Sequence, residues 1–257
     1  MKRCILFLLA VWAATFTYGV RPEAQNEVTV TKTEADNAYQ QKDYPRAVAL
    51  YSQFLKAHPN SASAHYNLGN SYYRLQNYPQ AVLHYERALK FNPADSDARF
   101  NLSLTQMKIE DQFGEESEMF FIRWFKQLRD QATADTWGVW ALVLTFLALC
   151  ALLTYLFTRP VILRKSCFFG AIALFVMAAV SHTFGVLQHK RSTEPQRAVV
   201  MRTSPLRTGP SDTNKASFDL HSGTAVDLID TTIKGWIEVE LSDGRTGWLE
   251  TKQVEIV

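Results

Sequence analysis

The residue types that most often carry chemistry in proteins do not form a catalytic or metal-binding pattern in this sequence. The cysteines, Cys4, Cys150 and Cys167, each lie in an apolar stretch, so we expect no disulfide framework. No Cys–His pair has zinc-ligand spacing. A nucleophile elbow, a phosphate loop and paired catalytic carboxylates are all missing, and Asp212 and Asp230 are isolated acids. We therefore expect no enzyme activity, no cofactor and no bound metal.

Charge and composition exclude two further classes of protein. The 27 Lys and Arg residues nearly balance the 25 Asp and Glu residues, which gives a formal net charge of +2. Such a balance lacks the strong positive field of a typical nucleic-acid binder, so we expect no nucleic-acid partner. The 11 Gly and 9 Pro residues are too few for a collagenous or low-complexity chain. Binding is the chemistry that remains, and it depends on the elements that position aromatic and cationic side chains.

The first residues predict export. Lys2 and Arg3 precede an apolar run, which is followed by Thr17, Tyr18 and Gly19, so small residues stand at the two positions that a signal peptidase reads. This is the pattern of a secretory signal peptide over residues 1–19, either cleaved or retained as an anchor.

Two further apolar stretches predict a transmembrane hairpin. The uncharged stretch 137–157 would reach about 31 Å as a helix, which matches the hydrocarbon core of a bilayer. The stretch 167–187 would return the chain to the same side. The short loop 159–166 carries three cations, so we expect it in the cytoplasm. Together with the signal, this topology places the chain in the cytoplasmic (inner) membrane, with both soluble regions in the periplasm.

Residues from Glu34 to Asp111 repeat at an offset of 34. Tyr44-Pro45 returns as Tyr78-Pro79, Tyr51 as Tyr85, and Tyr66-Asn67-Leu68 as Phe100-Asn101-Leu102. This period is typical of the helix–turn–helix tetratricopeptide repeat, TPR. The segment resembles the TPR consensus at His65, Leu68, Gly69, Tyr72, Ala81, Tyr85, Ala88 and Pro93, with His65 in place of the usual Trp. We expect repeats over 28–61 and 62–95, and a capping helix over 96–112.

The resemblance to TPR proteins implies a binding face, because these arrays bind peptides or protein surfaces along the concave side formed by their first helices. The face would carry Lys32, Asp36, Tyr39, Tyr66, Asn70, Tyr73, Arg74, Phe100, Met107 and Lys108. Aromatic side chains mixed with Lys and Arg suit a peptide groove; the alternative is that several of the aromatics only pack the array. Lys32 and Asn67 match part of a chaperone-type carboxylate clamp. Asp36 and Asp97, however, stand where that family has Asn and Lys, so we do not expect that ligand.

The segment 117–131 is predicted to form an interfacial amphipathic helix. Its aromatic and apolar residues recur at helical spacing, whereas Arg123, Lys126 and Arg129 occupy the other faces. The alternative is an apolar seam packed on the TPR cap.

The last sixty residues follow a polar linker, 188–197, and show a β-type pattern. Ile237, Val239 and Leu241 alternate with glutamates, which predicts a half-buried strand. The segments 206–211, 223–226, 235–239 and 243–248 together resemble a bacterial SH3-like domain (SH3b) over 198–257. That resemblance implies a small barrel that recognises cell-wall peptides or proteins. Its candidate ligand residues are Arg207, Trp236 and Trp248, with packing as the alternative for the tryptophans.

The expected fold class is multidomain, with an all-α TPR solenoid, a two-helix transmembrane hairpin and an all-β SH3-like barrel. This order resembles the BatE proteins of Bacteroides aerotolerance operons, and the resemblance implies partners among von Willebrand A-domain membrane proteins, beside a MoxR-type ATPase. The leading hypothesis is a membrane-anchored periplasmic scaffold that binds partner proteins through its TPR face. The alternative is a tether or sensor that binds peptidoglycan or wall peptides through the SH3b domain.

Overall fold

The computed structural model describes residues 31–114, 119–194 and 196–257. The predicted signal peptide, and the part of the first predicted repeat before Thr31, lie outside the described residues. Residues 31–257 form one compact unit, so the contacts below lie within a single body.

Five helices form the part of the described chain from residue 32 to residue 106: α1 (Lys32–Gln40), α2 (Tyr44–Ala57), α3 (Ala62–Arg74), α4 (Tyr78–Phe91) and α5 (Ser96–Gln106). Each follows a polar N-cap whose side chain accepts a hydrogen bond from a first-turn N–H; the caps are Thr31, Asp43, Ser61, Asn77 and Asp95. The turns also repeat, because Lys42 and Gln76, which are 34 residues apart, both adopt positive φ angles of 63° and 60°. The predicted array of two helix pairs and a fifth helix is therefore present.

Close packing between the paired helices depends on small residues. Ala47, Ala81 and Ala88 are fully buried. A Cβ atom on Gly69 would lie 2.8 Å from the ring of Tyr85, so only glycine lets that ring pass over α3. This contact directs the Tyr85 hydroxyl toward the side of the array formed by the first helices.

The fifth helix is shorter than the predicted capping helix 96–112, because it ends at Gln106. The chain then turns, and Ile109 packs into the same core as the helices α4 and α5. Asp111 leaves the array altogether and accepts hydrogen bonds from the C-terminal region. The residues after Gln106 therefore connect two parts of the molecule and do not extend the helix.

Three more helices follow: α6 (Phe120–Arg129), α7 (Ala134–Phe157) and α8 (Val161–Thr193). The helices α7 and α8 are long and apolar enough to cross a membrane. Arg164 and Lys165 lie in the first turns of α8 and not in a loop. The segment expected as a linker, 188–197, is helical as far as Thr193, because α8 continues past its apolar part into polar residues.

The C-terminal region is an antiparallel sheet of seven strands in the order β3-β2-β6-β5-β4-β1-β7. The strands are β1 (Arg197–Val200), β2 (Ser204–Arg207), β3 (Ala216–Leu220), β4 (Ala225–Asp230), β5 (Trp236–Glu240), β6 (Thr246–Glu250) and β7 (Val254–Ile256). Alternate residues such as Ile237, Val239 and Leu249 form its core, as the period of two predicts.

The predicted SH3-like barrel is not closed, because the outer strands β3 and β7 do not pair with each other. At the β7 edge, side chains of α4 take the place of another strand. Arg87 donates to the Ile256 carbonyl (2.7 Å) and Lys90 to the main-chain oxygen of Val257 (2.8 Å). A helix thereby covers a strand edge that would otherwise be open.

The helical array and the sheet also share a partly buried ion pair. Arg197 Nη1 on β1 donates to Glu86 Oε1 on α4 at 2.6 Å, and the Glu86 side chain is only 4% exposed. Val199 of β1 belongs to the core of α4 and α5. Since these contacts join residues before and after the α7–α8 pair, both regions lie at the same end of that pair.

A second set of contacts holds the chain after α5 against the sheet. Asp111 accepts hydrogen bonds from the His221 N–H and the Thr224 hydroxyl, both at 2.7 Å. Ile109 lies against Gly223, whose φ of +96° and missing side chain make room for it. The residues predicted to cap the array therefore pack against the C-terminal sheet of the same chain.

Candidate protein-binding cleft

The concave side of the helical array contains a cleft of about 350 Å³, formed mainly by α1, α3 and α5. Its lining residues are Tyr39, Tyr66, Asn70, Tyr73, Arg74, Tyr85, Asn101 and Leu104. The first five are among the ten residues predicted for the binding face. The structure therefore brings half of the predicted face together around one cleft.

Sequence reasoning missed Tyr85, Asn101 and Leu104. Tyr85 lies on α4, the second helix of its repeat, whereas the concave side is formed by the first helices. Its hydroxyl nevertheless reaches the concave side and donates to Asn70 Oδ1 at 2.7 Å. Asn101 Nδ2 donates to the same Asn70 oxygen at 2.9 Å and to the Tyr66 hydroxyl at 3.2 Å. The 34-residue offset contained a signal for two of them, since Tyr51/Tyr85 and Asn67/Asn101 are equivalent pairs.

Lys32 and Asp36 lie beside the cleft and bind each other. Lys32 Nζ donates to Asp36 Oδ2 at 2.9 Å. The Asp36 carboxylate also accepts hydrogen bonds from the Tyr51 hydroxyl (2.5 Å) and Asn67 Nδ2 (3.0 Å). Burial raises the pKa of Asp36, but these hydrogen bonds and the Lys32 charge outweigh burial, so the pKa lies below its ordinary value.

This arrangement bears on the expectation that a carboxylate-clamp ligand does not bind. Lys32 and Asn67 are the two residues that match the clamp, and both already donate to the Asp36 carboxylate. An internal carboxylate therefore occupies the donors that a peptide carboxylate would need.

The predicted residues Phe100, Met107 and Lys108 lie outside the cleft but next to it. Phe100 and Met107 are 62% and 70% exposed, and Lys108 is exposed as well. Phe100 and Leu104 are four residues apart on α5, so they share one helix face, and Met107 follows the last residue of the helix. Because Leu104 lines the cleft, this apolar face continues the cleft along α5.

Arg74 supplies the only charge among the lining residues. A hydrogen bond with the Tyr39 hydroxyl raises the pKa of Arg74, so the guanidinium stays charged. Burial raises the pKa of Tyr85, so this phenol is neutral at pH 7. The cleft thus combines aromatic faces, amide groups and one positive charge.

His65, which stands in place of the usual Trp, serves packing on the other side of the array. His65 Nε2 lies 2.9 Å from the Pro59 carbonyl, which can only accept, so Nε2 carries the proton. His65 Nδ1 is then the acceptor for His84 Nδ1, 3.1 Å away. Burial lowers the pKa of His65 to about 4 and lowers that of His84 further, so both rings are neutral at pH 7.

The candidate SH3b residues, Arg207, Trp236 and Trp248, lie on the outer face of the sheet. Arg207 is directly opposite Trp248 across β2 and β6, and Trp248 is opposite Glu238, two residues from Trp236. Arg207 Nη1 donates to the carbonyls of Asp212 and Asn214, both at 2.9 Å. Arg207 therefore holds the loop after β2, and the two tryptophans are half-buried.

Comparison with protein families supports the assignment of the helical array. Residues 32–106 match the profile of the tetratricopeptide repeat family. The chain carries tetratricopeptide repeats. A solved structure titled "TPR2B-domain:pHsp70-complex of yeast Sti1" is similar at 14% identity with a TM-score of 0.29, covering 58% of this chain and 92% of that chain. No curated protein matches the sequence.

Proposed function

We propose that this protein is a scaffold that binds partner proteins through the concave cleft of its TPR array, in a binding and not a catalytic role. The observation that carries the proposal is the cleft itself. Tyr39, Tyr66 and Tyr73 present aromatic surface at low entropic cost, and such side chains are enriched where proteins bind one another.

The ligand that suits this cleft is a segment with an acidic side chain next to apolar residues. Arg74 provides one cation, and the lining residues include no acid. The exposed Phe100 and Met107 lie on either side of the half-buried Leu104 in the sequence and fit the apolar residues of the same segment. Arg74 would pair with the acidic side chain, since a guanidinium binds carboxylates with two parallel hydrogen bonds.

We also propose that the helices α7 and α8 anchor the scaffold in the cytoplasmic membrane. Their surfaces carry large exposed apolar side chains such as Leu142 (74%) and Phe146 (66%), which suit lipid contact. The ion pair between Glu86 and Arg197 supports a topology in which the array and the sheet lie on one side of the bilayer. The predicted signal and the cations at the α7–α8 turn favour the periplasmic side.

The order of modules supports a role beside von Willebrand A-domain membrane proteins, within an aerotolerance complex of the BatE type. Crosslinking in cells, followed by identification of the proteins attached near Tyr73, tests this context. A set of neighbours without von Willebrand A-domain proteins would contradict it.

The test of the cleft is co-purification of partners with the full chain in mild detergent. Tyr73→Ala and Arg74→Ala should each reduce recovery of at least one partner by about tenfold, because each removes an anchor of the kind that dominates interfaces. Arg46→Ala is the matched control for charge, since Arg46 is exposed on α2, away from the cleft. Unchanged recovery of every partner in both cleft variants would contradict the proposal.

The alternative function, a cell-wall tether, draws support from the shared outer face of Arg207, Trp236 and Trp248. Its test is retention of the full chain on purified peptidoglycan, with Trp248→Ala as the variant. Trp124→Ala, on α6, is the matched control. Failure of the wild-type chain to bind would remove this alternative.

A further inference from the structure

The helix α6 presents an unusually apolar surface for a segment outside the two long helices. Phe120 is 84% exposed, Trp124 59% and Phe121 51%. None of the residues of α6 is buried. The alternative of a seam packed on the TPR cap therefore does not describe α6, and its apolar side needs another partner.

Contacts place the end of α6 at the outer end of the hairpin. Phe125 of α6 contacts Phe184 of α8, with ring centroids 5.0 Å apart, and Phe184 also contacts Trp137 of α7 at 5.0 Å. The Trp137 indole donates to the Arg129 carbonyl at 2.9 Å. Tryptophans at this level of a spanning helix are typical of the boundary between lipid and water.

A polar cluster beside these rings holds the C-terminal end of α6 against α8. Asp130 accepts hydrogen bonds from Gln188 Nε2 (3.0 Å) and Arg191 Nη1 (3.1 Å), both on α8. Asp130 also pairs with Arg129 at 2.8 Å. One end of α6 is therefore held at the level where α8 changes from apolar to polar residues.

Between α6 and α8 lies a cleft of about 350 Å³ with almost entirely apolar walls. It is lined by Phe121, Ile122, Trp124, Phe125, Lys126, Arg129 and Leu187. Arg123 is not among the lining residues, whereas Lys126 and Arg129 are, and α6 contains no acidic residue. This combination of an apolar cleft and a cationic helix matches the boundary of a bilayer that contains anionic lipids.

We propose that the cleft between α6 and the outer end of α8 binds a phospholipid acyl chain, with α6 lying in the membrane interface and its cations facing anionic headgroups. The proposal rests on the anchoring of α7 and α8 proposed above. A protein that covers α6 is the competing occupant. Leu187 of α8 lines the cleft and is 42% exposed, and Val180, seven residues earlier on the same helix, is 41% exposed. The exposed apolar surface of α8 therefore continues into the cleft, which favours lipid, because the same medium would then cover both surfaces.

The test uses the full chain in vesicles of phosphatidylcholine and phosphatidylglycerol, with Cys4, Cys150 and Cys167 changed to serine. A spin label is attached to one new cysteine at a time: Phe121→Cys on the apolar side of α6, Gln127→Cys on its polar side, or Leu142→Cys on α7. Collision of the label with oxygen reports lipid, and collision with a water-soluble nickel complex reports water.

We expect the labels at positions 121 and 142 to favour oxygen and the label at position 127 to favour the nickel complex. Water contact at 121 with lipid contact at 142 would overturn the α6 proposal alone. Water contact at 142 would overturn the anchoring and this proposal with it. Shielding of position 121 from both reagents would identify a protein occupant and reject lipid. Equal depth at 121 in vesicles without phosphatidylglycerol would reject the anionic preference.

Discussion

The TPR array contains two equivalent hydrogen-bond registers, each made of one acceptor side chain and two donors at the same separations in sequence. The two registers differ in the charge of the acceptor. In the first, Asp36 accepts from Tyr51, fifteen residues later, and from Asn67, thirty-one residues later. In the second, Asn70 accepts from Tyr85 and Asn101 at the same two separations. The register built on Asp36 also has Lys32, whereas the equivalent position of the second register is Tyr66.

The difference separates a repeat whose acceptor is satisfied within the array from a repeat whose equivalent residues line the cleft. The Asp36 carboxylate uses Lys32, Tyr51 and Asn67 as donors, so the first register is satisfied from within. The neutral Asn70 needs no cation, and the second register is part of the wall of the cleft. An exchange between Asp and Asn is therefore expected to alter the two registers in different ways.

The largest effect should come from Asp36→Ala, which removes the acceptor of the fully buried Tyr51. We expect the free energy of unfolding to fall by about 3 kcal/mol, since hydrogen bonds to a charged group are lost and a buried hydroxyl is left unpaired. Thermal denaturation in mild detergent measures the change. Asn37→Ala, at an exposed neighbour on α1, should change the free energy by less than about 0.5 kcal/mol. A similar loss in both variants would contradict the role of Asp36.

Asn70→Ala should have a smaller effect of about 2 kcal/mol, because the hydrogen bonds lost from Tyr85 and Asn101 are between neutral groups. The same denaturation measurement applies. If Asn70→Ala destabilised the protein more than Asp36→Ala, the comparison between a charged and a neutral register would be wrong.

Asp36→Asn makes the first register chemically similar to the second and should cost about 1 kcal/mol at pH 7. The folded pKa of Asp36 lies below the unfolded value, so its contribution is present above the unfolded pKa of about 4 and disappears as the pH falls through the folded pKa. Denaturation at neutral pH and below pH ~4 should show the difference from wild type shrinking in acid. The cost of Asn70→Ala should change less over this range, because Asn70 does not titrate. A pH-independent cost of Asp36→Asn would be evidence against the charged register.

The repeating part of the molecule could be predicted from sequence because its pattern is local. The offset of 34 located α1 to α5, and five of the predicted face residues line the cleft. The sequence also predicted β5 by the alternation of Ile237 and Val239 with glutamates, and both residues are buried. Hydropathy located α7 and α8 but not the full length of α8, because hydropathy marks only the apolar part of a helix that continues into water.

The contacts between the array and the sheet had no local signal. Glu86 lies in the middle of an ordinary TPR helix, and its partner Arg197 follows a polar segment 111 residues later. Either residue alone reads as a solvated charge. Periodicity indicates which side of an element is buried, but it does not identify the element that covers it. The sequence therefore contained no sign that α4 covers the edge of β7.

The position of Val199 in the core of α4 and α5 has a consequence for the order of assembly. During synthesis the repeats are made first. Their core lacks β1 until α7 and α8 have also been made, because β1 follows both helices in the sequence. The array therefore reaches its final packing only after the hairpin is made and the sheet has arrived beside it. A chain halted within α7 or α8 would lack Arg197 and Val199, so the packing of the array depends on residues that are made after both helices.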